Sequence, residues 1–226
     1  MFTRRDILGG ATVALAASTA GCSAIPFLGN EPLEFEATQT TVPASTREDT
    51  GYEEQGITEN VIERTFEVGG QSQDVVVTNW QAEYDKAIKV SDIADAPVEQ
   101  SARAAIFTVL STPQVSVLGQ SFNPIEDMDS SELAGRVEGN FESVENLEQV
   151  GEGGTLVAGQ ETTAGEFSAD AQLSEAPVDI ELALHITEAV EVGEDFVVTV
   201  GAYPRRVREV ERENVFSMME AVEQQE

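Results

Sequence analysis

Two long stretches of alternating apolar and polar residues flank the segment Gly69-Gly70-Gln71, and they constrain the fold more than any other feature. The stretches are Ile57–Val68 and Asp74–Tyr84. Alternation with a period of two places apolar side chains on one face of a β-strand. Glycine supplies the positive φ that tight hairpin turns need. The pattern therefore predicts a long β-hairpin and, with it, a sheet of antiparallel strands.

The rest of the chain predicts further strands and two helices. The further strands are expected at Leu33–Ala37, Arg103–Ser111, Thr155–Gly159, Glu161–Leu173, Val178–Val190 and Asp195–Ala202. Helices are expected at Met128–Val144, where apolar residues recur at helical spacing, and at Arg208–Glu223. The segment Thr40–Gln55 is expected to be irregular or briefly helical. This order of elements predicts an α+β domain with a mainly antiparallel sheet flanked by helices.

The amino terminus has the features of an export signal followed by a lipidation site. Arg4 and Arg5 precede an apolar stretch, and small residues lead to Cys22. This order resembles a twin-arginine signal joined to a lipobox. The apolar stretch is shorter than the roughly 20 residues that a membrane-spanning helix requires. We therefore expect a signal peptide at residues 1–21 and a lipid on Cys22 that holds the protein at the extracytoplasmic face of the cell membrane.

A short tether and one domain are expected after the signal. Residues 22–32 include Pro26, Gly29 and Pro32, which favour an irregular segment. Cys22 is the one cysteine of the chain, so no disulfide forms within it and no thiolate cluster holds a metal. The remaining length suits one core, since single domains commonly contain about 100–200 residues. We expect a single acidic α+β domain at residues 33–226.

The charge of the chain restricts its partners. It has 42 acidic and 12 basic residues and a formal net charge of −30. Nucleic acid is excluded as a default partner because phosphate backbones are bound by clustered Lys and Arg. At molar salt the Debye length falls to about 3 Å, so the repulsion within such a chain is screened. With only Lys86 and Lys89 as lysines, the composition resembles that of halophilic proteins; a merely acidic mesophilic protein is the alternative.

The sequence predicts no catalytic residue, no cofactor and no metal site. His185 is the one histidine and lies in a strand pattern, where a structural role is expected and catalysis or ligation is the alternative. Glu152, Glu161 and Asp127 are expected on the solvated surface. The segment 151–154 lacks the lysine of a phosphate-binding loop and is expected to be a flexible turn. These features favour a protein that is not an enzyme.

Two side-chain groups are candidates for contact with partners. Trp80 and Tyr84 lie four residues apart on a predicted strand and therefore share one face. They form either a docking patch or part of the packing on the hairpin face. Arg205, Arg206 and Arg208 form a local basic group. It either pairs with neighbouring carboxylates, which we favour, or contacts an acidic partner.

Several short motifs are distributed over most of the chain after the leader. They are Asn79–Tyr84, Phe107–Pro113, Phe122–Pro124, Leu184–Val190, Phe196–Val198 and Ala202–Pro204. Together they resemble an uncharacterised family of haloarchaeal twin-arginine lipoproteins with a domain of unknown function (DUF6517-like). The long hairpin, the strand ending in Ala202-Tyr203-Pro204 and the closing amphipathic helix also resemble the Mog1/PsbP-type α/β/α sandwich. That second resemblance implies a binding or assembly role, and neither resemblance supplies catalytic residues.

Two functional hypotheses follow from these features. The first is a non-catalytic, lipid-anchored module of a halophilic archaeon that binds an envelope protein or a ligand at the membrane surface. The second is a cation-assisted envelope hydrolase that uses carboxylates. A pocket joining His185 to two buried acids favours the second hypothesis. An exposed apolar patch without such acids favours the first.

Overall fold

The computed structural model describes residues 31–68, 71–95, 99–117, 120–122, 128 and 130–225. Its helices are α1 (Ala44–Thr50), α2 (Val90–Ile93), α3 (Ser130–Ala134) and α4 (Arg208–Glu220), with 3-10 helices at Gly135–Asn140 and Arg205–Val207. Its strands are β1 (Leu33–Glu36), β2 (Thr40–Thr41), β3 (Glu53–Val68), β4 (Gln71–Lys89), β5 (Ser101–Pro113), β6 (Val115–Val117), β7 (Gln120–Phe122), β8 (Phe141–Val157), β9 (Gln160–Leu173), β10 (Asp179–Thr187), β11 (Val190–Val192), β12 (Asp195–Pro204) and β13 (Glu223–Gln224).

Nine of the described strands form one large sheet. β4 pairs with β3 along one edge and with β1 and β5 along the other, and the order continues through β12, β10 and β9 to β8. The ninth strand, β11, pairs with β12. Within the described strands of this sheet, β1 and β4 make the one parallel pairing, and the other pairings are antiparallel. A separate short pairing of β2 with β13 joins the two ends of the described chain.

The sheet has two differently covered faces. Phe107 on β5 is paired with Gly201 on β12, which in turn is paired with His185 on β10, so these three residues share a face. We call this the helix face because α4 packs against it. The opposite face, which we call the cleft face, contacts α3 and the 3-10 helix Gly135–Asn140. The central strands β5, β10 and β12 therefore bury residues of both parities.

Helix α4 lies close to the sheet because of one glycine. A Cβ atom placed on Gly201 would lie 2.4 Å from Cγ1 of Val215. Val215, Met218 and Met219 are fully buried in the resulting interface. The spacing of these apolar residues at three and four positions places them on one side of the helix. The absence of a side chain at position 201 thus sets the distance between α4 and β12.

The edge strands of the sheet, β3 and β8, are protected against pairing with other chains. Both are long, and most of their residues are exposed. β8 carries exposed glutamates and its register with β9 shifts at three places. Charged side chains and bulges on an edge strand disfavour pairing with a foreign strand. The acidic composition therefore has a structural consequence at these edges.

The predicted helix Met128–Val144 is wrong beyond Asn140. The chain forms α3 and a 3-10 helix and then enters β8 at Phe141. Gly135 and Gly139 interrupt the segment, and glycine disfavours a continued α-helix by about 1 kcal/mol per residue. The segment 151–154, expected to be a turn, lies inside β8 and pairs with β9. The irregular register of β8 hides the alternation that would have predicted a strand.

Other expectations agree with the structure. The hairpin is confirmed as β3 and β4, while Gly69 and Gly70 of its turn lie outside the described residues. Strands β9, β10 and β12 and helix α4 lie within a few residues of their predicted bounds, whereas the strand predicted at Thr155–Gly159 is only the end of β8. The mainly antiparallel sheet accompanied by helices agrees with the expected α+β class. No helix among the described residues is long and apolar enough to cross a membrane.

Candidate functional site

The export and lipidation residues cannot be placed in the fold. Arg4, Arg5 and Cys22 lie outside the described residues, as do the signal peptide at 1–21 and most of the tether at 22–32. Their roles stay predictions from the sequence.

The aromatic pair on β4 does not form an exposed patch. Tyr84 is fully buried, and its ring centroid lies 6.2 Å from that of Phe107. Its hydroxyl oxygen accepts a hydrogen bond from the backbone N–H of Val42 at 2.9 Å. Trp80 lies on the same face and is half-buried. A docking patch that requires both rings to be accessible is therefore wrong, and Tyr84 belongs to the packed interior.

The basic group near the start of α4 pairs with carboxylates. The pairs are Arg205 with Glu181, Arg206 with Asp95 at 2.7 Å, and Arg208 with Glu166 at 2.6 Å. The favoured interpretation of these arginines is confirmed. All three pairs are at least partly exposed, and such pairs typically contribute about 0–1 kcal/mol each to stability.

The cleft face of the sheet carries a polar site that the sequence did not predict. A cleft of about 480 Å³ opens there between β4, β5 and the 3-10 helix Gly135–Asn140. Because side chains alternate along β4, Gln81, Glu83 and Asp85 point into it while Tyr84 points to the helix face. We call this site the polar cleft. Its charged and amide side chains include Gln55, Gln81, Glu83, Asp85, Arg103 and Arg136.

Two β-bulges flank the polar cleft at Asp85. On one side, the register between β3 and β4 shifts between Glu54 and Gly56, so Gln55 is the extra residue. On the other side, the register between β4 and β5 shifts between Lys86 and Ala87, next to Arg103. A bulge re-aims side chains, and bulges are frequent beside functional sites. Here both irregularities direct a polar side chain toward the same carboxylate.

The polar side chains are held in two hydrogen-bonded chains of the same composition. In the first, Arg136 donates from Nη1 to Oε1 of Gln81 at 3.2 Å, and Gln81 donates from Nε2 to Glu83. In the second, Arg103 donates from Nη1 to Oε1 of Gln55 at 3.2 Å, and Gln55 donates from Nε2 to Oδ1 of Asp85 at 3.0 Å. Each glutamine thus fixes one arginine relative to one carboxylate.

Asp85 is the most buried acid of the polar cleft. It is 4% exposed, and its Oδ2 is buried without a hydrogen-bond donor among the described residues. Nη1 of Arg103 lies 3.5 Å from this oxygen without hydrogen-bond geometry. Burial raises the pKa of Asp85, while the nearby charge of Arg103 and the side-chain amide of Asn140, which lines the same cleft, oppose that effect. The amide of Asn140 does not meet hydrogen-bond geometry with Oδ2. An acceptor left without a donor in a buried position is energetically costly, and a bound donor would satisfy it.

His185 is remote from the polar cleft because it faces the other side of the sheet. It is 1% exposed, its Nε2 lies 2.8 Å from the hydroxyl of Tyr203, and its ring meets Phe216 edge-on at 5.0 Å. Burial lowers its pKa to about 4, so the ring is neutral near pH 7. The geometry does not join His185 to the carboxylates of the cleft. In the described part of the chain, no group of three or more His, Cys, Asp or Glu residues is arranged to hold a metal ion.

The sequence contained one signal for the polar cleft. The predicted strand Asp74–Tyr84 carries Asn79, Gln81 and Glu83 at alternate positions, which places these polar side chains on the face opposite Tyr84. The structure buries Gln81 and Asp85 because the 3-10 helix Gly135–Asn140 covers their face. Glu152 and Glu161 are exposed as expected, while Asp127 lies outside the described residues.

Comparison with known proteins identifies a family model that covers most of the chain. A family model described as a domain of unknown function (DUF6517) matches residues 39–223. Among solved structures, the chain is similar to the crystal structure of a protein of unknown function, PA94, from Pseudomonas aeruginosa. The identity is 11%, the match covers 73% of this chain and 98% of that chain, and the TM-score is 0.32. No curated protein matches the chain.

Proposed function

This chain belongs to the DUF6517 family, a domain of unknown function, and from that premise we propose that it is a lipid-anchored binding module whose ligand site is the polar cleft. The observation that carries the proposal is the pair of arginine–glutamine–carboxylate chains. Side chains held in place before a ligand arrives lose less conformational freedom on binding. The cleft volume lies within the range of about 300–1,000 Å³ that is typical of small-molecule sites.

The proposed location is the extracytoplasmic face of the membrane of a halophilic archaeon. It is supported by the order of Arg4, Arg5, the apolar stretch and Cys22, and by the net charge of −30. A single acyl chain gives marginal anchoring, so we propose a lipid with two chains on Cys22. An envelope protein at the membrane surface is the proposed partner to which the module presents its ligand.

We also propose a finer description of the fold, the Mog1/PsbP-type α/β/α sandwich. The support is the placement of α4 on the helix face and of α3 with the following 3-10 helix on the cleft face. This arrangement leaves the polar cleft open at the edge of the smaller helical layer.

The anchor is tested by cell fractionation and intact mass. Cells expressing the native chain are compared with cells expressing Cys22→Ser. The expected result is that the native protein sediments with membranes and carries the added mass of a lipid, whereas the variant is released or unprocessed. Equal distribution and equal mass of the two proteins would remove the anchor from the proposal.

The binding role is tested separately on the full chain carrying Cys22→Ser. Titration calorimetry with small probes of each charge class, namely neutral disaccharides, glycine betaine, glutamate and putrescine, is carried out at molar salt. Saturable binding of any one class supports a ligand site. If none of the four classes binds at millimolar concentration, the polar cleft is not a small-molecule site.

A hydrolase is the second candidate function, and one observation favours it. Glu83 and Asp85 line the same cleft two residues apart on β4, and burial raises the pKa of Asp85. A general acid needs such a raised pKa. Chromatography of disaccharides after incubation with the protein tests this function: release of monosaccharides that is lost in Asp85→Asn supports it, and intact disaccharides contradict it.

A further inference from the structure

We infer that the ligand of the polar cleft is a net-neutral compound rich in hydroxyl groups, of the size of a disaccharide. This inference rests on the proposed binding function and adds the chemical class of the ligand. It is carried by the charge balance of the cleft, by its free hydrogen-bonding groups and by its length.

The described side chains that line the polar cleft are balanced in charge within a strongly acidic protein, and Glu175 approaches Arg103 from outside this lining at 4.0 Å. Its six named side chains include two guanidinium groups, of Arg103 and Arg136, and two carboxylates, of Glu83 and Asp85. The whole chain has 12 basic against 42 acidic residues, so this balance is unlike its average composition. A ligand with a net charge would leave a charge in the cleft uncompensated. A net-neutral ligand matches the cleft without that cost.

The cleft offers a ligand both hydrogen-bond donors and hydrogen-bond acceptors. Arg136 donates from Nη1 to the uncharged amide oxygen of Gln81. A guanidinium has five N–H donors, and this hydrogen bond uses one of them. Glu83 accepts from Gln81 through Oε1, and its second oxygen is a further acceptor. A hydroxyl group both donates and accepts, and it therefore suits a surface that offers donors and acceptors side by side.

The buried oxygen of Asp85 indicates where one hydroxyl would donate. Oδ2 has no hydrogen-bond donor among the described residues, whereas Oδ1 accepts from Gln55. Nη1 of Arg103 lies 3.5 Å from Oδ2, and the arginine side chain is 49% exposed. A ligand hydroxyl beside Arg103 would supply the missing donor to Oδ2 and would accept a hydrogen bond from the guanidinium.

The length of the polar cleft sets the size of the ligand. Gln81 and Asp85 are four residues apart on one strand, which corresponds to about 14 Å along β4. Arg136 reaches the first of these residues and Arg103 lies beside the second. A ligand that contacts both chains must therefore be longer than one sugar ring.

The test uses the full chain carrying Cys22→Ser at molar salt, with maltose, cellobiose and trehalose as probes and glycine betaine, glutamate and putrescine for comparison. Glu83→Gln is introduced to remove one charge while it preserves the shape of the side chain. Glu59→Gln is the matched control because it makes the same change at an exposed position on β3. Glu59 is paired with Trp80, so it lies on the helix face of the sheet, opposite the cleft. Circular dichroism and the unfolding midpoint confirm that each variant is folded.

The expected result is saturable binding of at least one disaccharide. Glu83→Gln should weaken its affinity roughly 10- to 100-fold, which corresponds to the loss of one charged hydrogen bond. Glu59→Gln should leave its affinity unchanged. Equal affinity of the two variants for the disaccharide would place binding elsewhere and overturn the inference. Binding of glycine betaine, glutamate or putrescine in preference to every disaccharide would overturn the inference but leave the binding role in place. Absence of binding by all probes would overturn both.

Discussion

Lowering the pH is expected to destabilise this protein through His185. The ring is 1% exposed and lies between Tyr203 and Phe216. Burial is the main cause that lowers its pKa to about 4, and the carboxylate of Glu166 acts in the opposite direction. The nearby cations Arg212 and Arg208 also lower it. The folded protein therefore holds this histidine in its neutral form at pH values where an unfolded chain has already protonated it.

The sign and size of the effect follow from proton linkage. The unfolded histidine titrates at its ordinary value of 6.5 and the folded one at about 4. Between these values the unfolded state binds more protons, so the free energy of unfolding falls as the pH is lowered. The contribution of His185 is complete above pH 6.5 and is lost progressively below it. At pH 5 this contribution is smaller than at pH 8 by about 2 kcal/mol.

The assay compares the native residue with His185→Gln in urea unfolding at constant molar salt, at pH 8 and pH 5. Glutamine retains a polar group toward Tyr203 but does not titrate. The carboxylates of the chain titrate in both proteins, so their contributions cancel in the difference between the two pH dependences. Between pH 8 and pH 5 the free energy of unfolding is expected to fall by about 2 kcal/mol more in the native protein than in the variant. Equal losses in the two proteins would refute the account of a buried neutral histidine.

The remaining predictions concern packing, a buried ion pair and salt. Gly201→Ala is expected to lower the free energy of unfolding by about 1–3 kcal/mol because its Cβ would lie 2.4 Å from Cγ1 of Val215; chemical denaturation checks this, and Val215→Ala in the same chain should restore part of the loss. Lys86→Met is expected to cost about 3 kcal/mol because it leaves the buried carboxylate of Glu211, 2.7 Å from Nζ in the native chain, without a cation. Arg206→Ala removes an ion pair whose acid, Asp95, is 91% exposed. In the same denaturation experiment it should change the free energy of unfolding by less than about 1 kcal/mol. Similar losses in Lys86→Met and Arg206→Ala would contradict the expected difference between a buried and an exposed ion pair. Circular dichroism should show loss of ordered structure as salt falls from molar to roughly 0.1 M, and an unchanged spectrum would contradict the halophilic assignment.

Local patterns in the sequence predicted the elements whose side chains obey a simple period. The hairpin of β3 and β4 shows regular alternation, and α4 places its buried residues at helical spacing, so both were found. Only the end of β8 was predicted, at Thr155–Gly159, because the three register shifts earlier in this strand interrupt the alternation on which the prediction depends. The helix predicted across Phe141 failed for the related reason that an apolar spacing compatible with a helix also occurs by chance in an irregular strand.

The candidate site required information that no local pattern contains. Alternation along β4 correctly separates Gln81, Glu83 and Asp85 from Tyr84, but it does not say which face is covered. Tyr84 is buried because the segment around Val42 crosses the helix face and bonds to its hydroxyl. Gln81 and Asp85 are buried because a 3-10 helix more than fifty residues later in the chain covers the other face.

The sequence alone determined the charge, the alternating strands and the closing helix, because each of these depends on composition or on neighbours along the chain. On the same basis it predicts lipidation at Cys22. The tertiary structure decided which polar side chains meet. Gln55 and Arg103 reach Asp85 from bulges on two different strands, and Arg136 reaches Gln81 from a distant helix. Contacts of this kind depend on strand register and on how the chain folds over its sheet, and both are set by packing between segments that are far apart in sequence.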